Sequence, residues 1–334
     1  MKSLSPRPPN PSVCGRYAPS PTGRLHLGNA RTALAAWLSV RSQGGRFVYR
    51  LEDIDGPRVV PGADAELQRD LRWLGLDWDD GPAPDGGEIG PHGPYRQSLR
   101  RAHYDAALAR LADAGRLFAC RRSRSELAGL ASAPHSAGLP PYPRDWRPAA
   151  RLAPADLTPD LDAAVRFAVD DGLTCFDDRV QGRVCQDVAA EVGDVVLRRR
   201  DGVDAYQLAV VVDDLAMGVT EVVRGVDLLD STARQVQLIE ALSGGVPAYA
   251  HLGLVVNADG AKLSKRDAGL SLAELRDRGV RPEAVVGWLA ASLGLIESPA
   301  SVTACDLVPG FDWARVPAGP VAAPPDLPDV LARL

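Results

Sequence analysis

The chain has 334 residues, a formal net charge of −5, and 46% hydrophobic against 24% charged residues, a balance that suits a folded protein with a sizeable core. No apolar run approaches the roughly 20 residues that a membrane-spanning helix needs, and the N-terminal residues are polar and proline-rich (Pro6, Pro8, Pro9, Pro11), which argues against export. Five scattered cysteines (Cys14, Cys120, Cys175, Cys185, Cys305), an odd number, lead us to expect free thiols in a reducing cytoplasm.

In chain order, Val13 to Pro19 reads as a strand running into a stiff turn, Pro19-Ser20-Pro21-Thr22-Gly23. From Asn29 the apolar positions Ala30, Ala33, Leu34, Trp37 and Leu38 follow helical spacing, and Phe47 to Leu51 is a strand ending in acidic residues. This β-turn-α-β unit starts an α/β fold with a doubly wound parallel sheet. Helices are expected near 64–74 and 99–114, and an irregular insertion from Ser132 to Pro148, rich in Pro, Gly and Ala. Residues 96–124 carry eight arginines against Asp105 and Asp113, an excess that suits either phosphate contacts or a solvated helix face. Val195 to Arg199, Tyr206 to Val212, Val219 to Val223 and Leu252 to Val256 read as strands. Ser231 is placed to cap a helix reaching about Leu242. Further helices are expected at 271–278 and 282–293, and the segment from Pro317 to Pro328, with five prolines, is expected to pack loosely.

Two short segments can carry chemistry. In Arg24-Leu25-His26-Leu27-Gly28-Asn29, a helix N-terminus offers free N–H donors and partial positive charge to an anion. Gly28 permits close approach to the backbone, Asn29 can cap the helix or donate, and His26 can donate to a phosphate gaining charge. The second is Lys262-Leu263-Ser264-Lys265-Arg266. The chain has three lysines among 38 basic residues, and two of them stand here, where a compact ammonium on a flexible stem can neutralise a leaving pyrophosphate.

Found in this order in an α/β chain, the two segments resemble the His-Ile-Gly-His and Lys-Met-Ser-Lys-Ser elements of class I aminoacyl-tRNA synthetases. Asn29 and Arg266 give them the form common among glutamyl enzymes. Arg16-Tyr17-Ala18-Pro19-Ser20-Pro21-Thr22-Gly23, Arg50-Leu51-Glu52-Asp53-Ile54-Asp55 and Tyr206 through Asp213-Asp214 resemble further glutamyl-family segments. The resemblance implies a Rossmann-like catalytic domain that joins L-glutamate and ATP as glutamyl-adenylate, with Mg2+ accompanying the ATP. It implies catalytic roles for His26, Asn29 and Lys265. ATP would meet His26, Gly28, Asn29, Lys262 and Lys265. Glutamate would meet Arg16, Tyr17, Ala18, Pro19, Ser20, Glu52, Tyr206 and Arg224. The chemistry agrees, since glutamate's carboxylates call for a guanidinium (Arg16, Arg224) and its ammonium for a carboxylate (Glu52).

Val223-Arg224-Gly225-Val226-Asp227-Leu228-Leu229-Asp230-Ser231-Thr232-Ala233-Arg234-Gln235 is similar to the corresponding segment of the glutamyl-queuosine tRNA(Asp) branch. Members of that branch activate glutamate without tRNA and transfer it to queuosine at the wobble position of tRNA(Asp). About 68 residues follow Arg266, where an ordinary glutamyl-tRNA synthetase continues into an anticodon-reading domain, so no such domain is expected. The implied organisation is a flexible segment 1–12, first catalytic half 13–115, inserted acceptor-binding subdomain 116–190, second catalytic half 191–256, lysine loop and helical stem-contact region 257–316, and a proline-rich tail 317–334. Many members hold zinc in the insertion through a Cys-x-Cys pair and Tyr-x-x-x-Cys. Here Cys120-Arg121-Arg122 and Tyr142-Pro143-Arg144-Asp145-Trp146 keep one thiolate and one phenol; even with His135 a fourth ligand is missing, so no structural zinc is expected. The insertion is instead expected to be held by Trp146 and prolines. The remaining expectations are a cytoplasmic monomer with no membrane partner. A truncated synthetase charging a tRNA 3′ end and a non-catalytic tRNA- or glutamate-binding paralogue are the alternatives.

Overall fold

The computed structural model of the chain describes residues 12–84, 86–123, 125–126, 140–263 and 271–334. In chain order the strands are β1 (Cys14–Tyr17), β2 (Arg46–Tyr49), β3 (Gly81–Pro82), β4 (Glu88–Ile89), β5 (Leu117–Cys120), β6 (Ala164–Phe167), β7 (Leu173–Asp178), β8 (Gly182–Asp187), β9 (Val195–Arg198), β10 (Glu221–Gly225), β11 (Ala248–Leu252), β12 (Val255–Val256) and β13 (Val321–Ala322). The central sheet runs β2-β1-β10-β11-β7-β8. Its first five strands are parallel, and β8 closes the edge as the antiparallel arm of a hairpin.

Both faces of this sheet are covered, as a parallel sheet requires. Phe47 and Tyr49 of β2, with Val223 and Leu252, face one apolar core together with helix α1 (Leu27–Ser42) and helix Pro282–Ser292. Val48, Val222 and Tyr249 face the other, built on helices Arg101–Asp113, Tyr206–Ala216 and Leu229–Ala241. This is the expected doubly wound arrangement. Buried Arg31 of α1 ties it together, donating to the carbonyls of Gly253 (2.8 Å) and Ser292 (3.0 Å).

Several expectations need correction. Tyr206–Ala216 is a helix, not a strand. Its valine run suggests a strand, but Leu208 through Asp214 are all buried, packed among neighbouring helices and β9, and that burial outweighs β-branched propensity. The next helix begins at Leu229, so Ser231 lies inside its first turn, and its hydroxyl oxygen accepts from Gln207 Nε2 at 3.2 Å. Cys175 and Cys185 are not free: they face each other across the β7–β8 hairpin and form a disulfide. Cys14, Cys120 and Cys305 are free. The proline-rich tail is not loose. β13 pairs with β12, and Leu327 and Leu331 are buried against the core that holds α1. The divisions at 115/116 and 190/191 also do not separate sheets. β5-β6-β9 form a small antiparallel sheet of their own, while β7 and β8 join the central one.

Around Cys120 the insertion is held by packing. The Tyr142 hydroxyl lies 3.5 Å from Cys120 Sγ and donates to the Trp146 carbonyl at 3.2 Å, and Trp146 meets the Tyr142 ring edge-on. Arg147 pairs with buried Asp194. His135 lies outside the described residues.

Candidate active site

A cleft of about 430 Å³ opens where β1, β10 and α1 meet. This is the carboxyl end of adjacent parallel strands, where open α/β sheets place ligands. Arg16, Tyr17, Ala18, Pro19, Ser20, His26, Gly28, Asn29, Glu52, Tyr206, Arg224 and Lys262 all line it. These are the expected substrate and nucleotide residues, drawn together from six separate stretches of chain. Ser264, Lys265 and Arg266 lie outside the described residues, so the role expected for Lys265 has no geometry here.

At the end of the cleft formed by α1, His26 rather than Asn29 caps the helix. Its Nδ1 accepts from the Asn29 backbone N–H at 3.4 Å. A neutral imidazole that accepts through Nδ1 carries its proton on Nε2, which leaves Nε2 as a donor. Gly28 makes this possible, because a Cβ there would stand 3.1 Å from both Cε1 and Nδ1 of the ring. Lys262 follows the tight turn at Asn257–Gly260, and its Nζ lies 2.5 Å from Asp227 Oδ2. Asp227 also lines the cleft, and Gly225 leaves room for it: a Cβ at 225 would sit 2.4 Å from Asp227 Oδ1. The sequence reading assigned Asp227 no role.

At the other end lies a buried charge network. Arg50 is fully buried and donates to Asp214 Oδ1 (2.6 Å) and Glu52 Oε1 (3.0 Å), with Asp213 Oδ2 at 3.8 Å. Burial alone would lower its pKa, but Asp214, Glu52 and Asp213 raise it, so it is permanently charged. Arg16 donates through Nε to Asp214 (3.3 Å) and through Nη1 to the Val223 carbonyl (3.3 Å). Burial pushes the Glu52 carboxyl up, against the opposing pull of Arg50 and then Arg16. Burial also pushes up the Tyr206 hydroxyl, keeping it a donor. Asp213 accepts from Arg100 Nε (2.5 Å), Gln97 (2.8 Å) and Tyr104 (3.0 Å).

Arg224 differs from Arg16 and Arg50. It is 5% exposed and donates through Nε to His251 Nε2 (2.9 Å) and through Nη2 to Thr232 Oγ1 (2.8 Å). Its Nη1 has no hydrogen-bond partner, and among the described residues no carboxylate lies within 4.0 Å of the guanidinium. A buried cation without a counter-ion is costly unless a ligand supplies one. His251, Thr232 and Asp178, which hold Arg224, escape sequence reasoning because nothing local distinguishes them.

The arginine-rich segment is largely committed within the protein. Arg96, Arg100, Arg101, Arg110, Arg116 and Arg122 each donate to a carboxylate or carbonyl of this chain. Among the described residues no group of three or more His, Cys, Asp or Glu is arranged to hold a metal, and no helix is long and apolar enough to cross a membrane.

Comparison with known proteins gives the family and the fold. The family described as tRNA synthetases class I (E and Q), catalytic domain, matches residues 12–299. A glutamyl-Q tRNA(Asp) synthetase from Symbiobacterium thermophilum is 51% identical over 93% of this chain and 96% of its own length. One from Nitratidesulfovibrio vulgaris is 43% identical over 96% and 98%. The crystal structure of a glutamate tRNA ligase from Elizabethkingia meningosepticum, in complex with its amino acid, superposes with a TM-score of 0.78 at 29% identity, covering 93% of this chain and 67% of that one.

Proposed function

The chain belongs to the class I tRNA synthetases of the glutamyl and glutaminyl type, and within them to the glutamyl-Q tRNA(Asp) synthetase family of ligases; on that premise we propose that it activates L-glutamate with ATP without tRNA, then transfers it to queuosine at the wobble position of tRNA(Asp). The observation that carries the glutamate reading is Arg224, a buried guanidinium with an unpartnered Nη1 and no carboxylate beside it.

The α-carboxylate of glutamate attacks the α-phosphorus of ATP, a mixed anhydride forms, and pyrophosphate leaves. During this step the α-carboxylate loses its charge, whereas the side-chain carboxylate keeps its own. A buried guanidinium therefore suits the side-chain carboxylate, since pairing it with the attacking group would oppose the reaction. Glu52, with Oε1 fixed by Arg50, takes the ammonium, and Tyr206 and Ser20 add hydroxyl hydrogen bonds. Arg16 supports the same end, while Tyr17, Ala18 and Pro19 form its wall. His26 donates through Nε2 to the α-phosphate as charge grows there, and Asn29 and the first turn of α1 add donors. Lys262 and Lys265 neutralise the departing pyrophosphate, and Mg2+ accompanies the ATP.

The test is glutamate-dependent ATP–pyrophosphate exchange without tRNA, followed by transfer of labelled glutamate to tRNA(Asp) with and without queuosine. Exchange without tRNA and queuosine-dependent labelling are expected. Label at a tRNA 3′ end would replace this reading with ordinary charging, and absence of exchange would leave a non-catalytic paralogue.

A further inference from the structure

Arg224 of β10 and His251 of β11 are register partners in the central sheet. Both ring nitrogens of His251 are engaged. Nδ1 lies 2.6 Å from Asp178 Oδ2, and Nε2 lies 2.9 Å from Arg224 Nε. An arginine Nε can only donate, so Nε2 of His251 accepts and the ring proton sits on Nδ1, facing Asp178. Asp178 is itself fixed, because its Oδ1 accepts from the backbone N–H groups of Val180 (2.9 Å), Gln181 (2.9 Å) and His251 (3.1 Å). Thr232, fully buried on helix Leu229–Ala241, accepts from Arg224 Nη2. The chain of contacts thus runs from the backbone at the end of β7, through a carboxylate and a neutral imidazole, to one edge of the guanidinium.

The charge states fit this arrangement. Burial lowers the His251 pKa, the Asp178 hydrogen bond opposes that, and the charges of Arg224 and Arg16 lower it further, so the ring is neutral. Burial would raise Asp178, but hydrogen bonds from His251 and the backbone hold it at about 2, so it is ionised. Tyr249, stacked 6.0 Å from His251, has its hydroxyl pushed well above the physiological range by burial. No group facing His251 changes charge near neutral pH.

We propose that Asp178, His251 and Thr232 are positioning residues that lock Arg224 by its Nε–Nη2 edge, leaving Nη1 for a substrate carboxylate and so favouring glutamate over glutamine. This rests on the reading that Arg224 binds the side-chain carboxylate. An unlocked guanidinium could turn to other acceptors, including the carbonyl oxygen of a side-chain amide. A locked one presents donors in one direction, where a carboxylate offers two acceptor oxygens and a counter-charge; the neutral amide of glutamine offers one carbonyl there, sets its NH2 against a donor, and leaves the buried charge without a counter-ion.

The experiment compares exchange kinetics of the wild type with His251→Phe, which removes the acceptor but keeps a ring, and with His251→Gln, whose amide oxygen can accept from Arg224. Thr232→Val, nearly isosteric, serves if His251→Phe does not fold. Losing an acceptor for a charged donor should raise the glutamate KM roughly tenfold or more. The ATP KM should stay within about twofold, and the preference for glutamate over glutamine should fall by a similar roughly tenfold factor. His251→Gln should recover most of both. Equal rises in the KM of glutamate and ATP, or an unchanged glutamate KM in a folded variant, would overturn the proposal. Arg224→Ala is measured alongside: if it leaves the glutamate KM unmoved, the assignment of Arg224 itself is wrong, whereas an effect there without one in the His251 and Thr232 variants removes only the positioning role.

Discussion

Replacing Arg224 by alanine tests whether this buried cation exists for the fold or for the ligand. A guanidinium inside a protein is normally paired, and breaking a buried ion pair costs about 3–5 kcal/mol of stability. Arg224 has no such pair among the described residues; its Nε and Nη2 meet a neutral imidazole and a hydroxyl, its plane lies over the Tyr249 ring, and its Nη1 has no hydrogen-bond partner. Removing it takes away two hydrogen bonds and the contact with the Tyr249 ring (5.6 Å), and also relieves a buried charge that has no ion-pair partner within 4.0 Å among the described residues, effects of opposite sign. The unliganded variant should therefore melt close to the wild type. Binding should suffer instead, because truncating one partner of a buried, hydrogen-bonded charge pair costs about 2–5 kcal/mol. At about 1.4 kcal/mol per tenfold, that is a rise in glutamate KM of at least roughly 25-fold. The assay is pyrophosphate exchange at varied glutamate and varied ATP, with thermal unfolding of the unliganded protein beside it. ATP KM should change by less than about threefold. A large fall in melting temperature with an unchanged glutamate KM would refute the reasoning, since it would make Arg224 a structural cation.

Arg50→Met should behave in the opposite way. It leaves buried Glu52 without its hydrogen-bonded cation and Asp214 with Arg16 alone, while Asp213 keeps Arg100, so denaturant unfolding should show a loss of about 3–5 kcal/mol; a stable variant would mean that Glu52 and Asp214 find water or protons easily. Gly28→Ala places a methyl 3.1 Å from the His26 ring and should displace it from the helix cap, slowing exchange by roughly tenfold or more; an undiminished rate would remove the role given to that ring. Lys265→Ala should slow exchange by roughly 30-fold, about 2 kcal/mol of transition-state stabilisation, and an unchanged rate would take Lys265 out of the chemistry. Acid should destabilise the fold through Asp178 and His251. His251 is lowered from 6.5 in the fold, so the unfolded chain binds its proton first and stability begins to fall as pH drops below about 6.5. Asp178, lowered from 3.8 to about 2, contributes about 2 kcal/mol that is present above pH 4 and lost as pH falls through about 2. Melting temperature against pH should therefore fall less steeply between pH 6.5 and 4 in His251→Gln than in the wild type; identical slopes would count against the neutral imidazole.

The sequence determined the α1 end of the cleft and the start of the fold. His26 to Asn29 sits at a helix start, Lys262 follows a tight turn, and β1-turn-α1-β2 unfolds as read, because each of these depends on residues within a few positions of one another. The twelve expected site residues that fall in the described chain do converge on one cleft. Local reading failed where burial from several sides overrode propensity. The valine-rich stretch Tyr206–Ala216 is a helix because its neighbours enclose it, and the helix carries Asp213 to Arg100 and Asp214 to Arg16. Cys175 and Cys185 meet only because a hairpin register sets them opposite each other. The same holds for the residues that decide the state of Arg224: Asp178, Thr232 and His251 come from three separate elements and touch only when the sheet is assembled. Sequence determines which groups are available and what local backbone they prefer. Whether a buried charge is paired, tethered or left open to a ligand depends on contacts between distant segments, and those exist only in the tertiary structure.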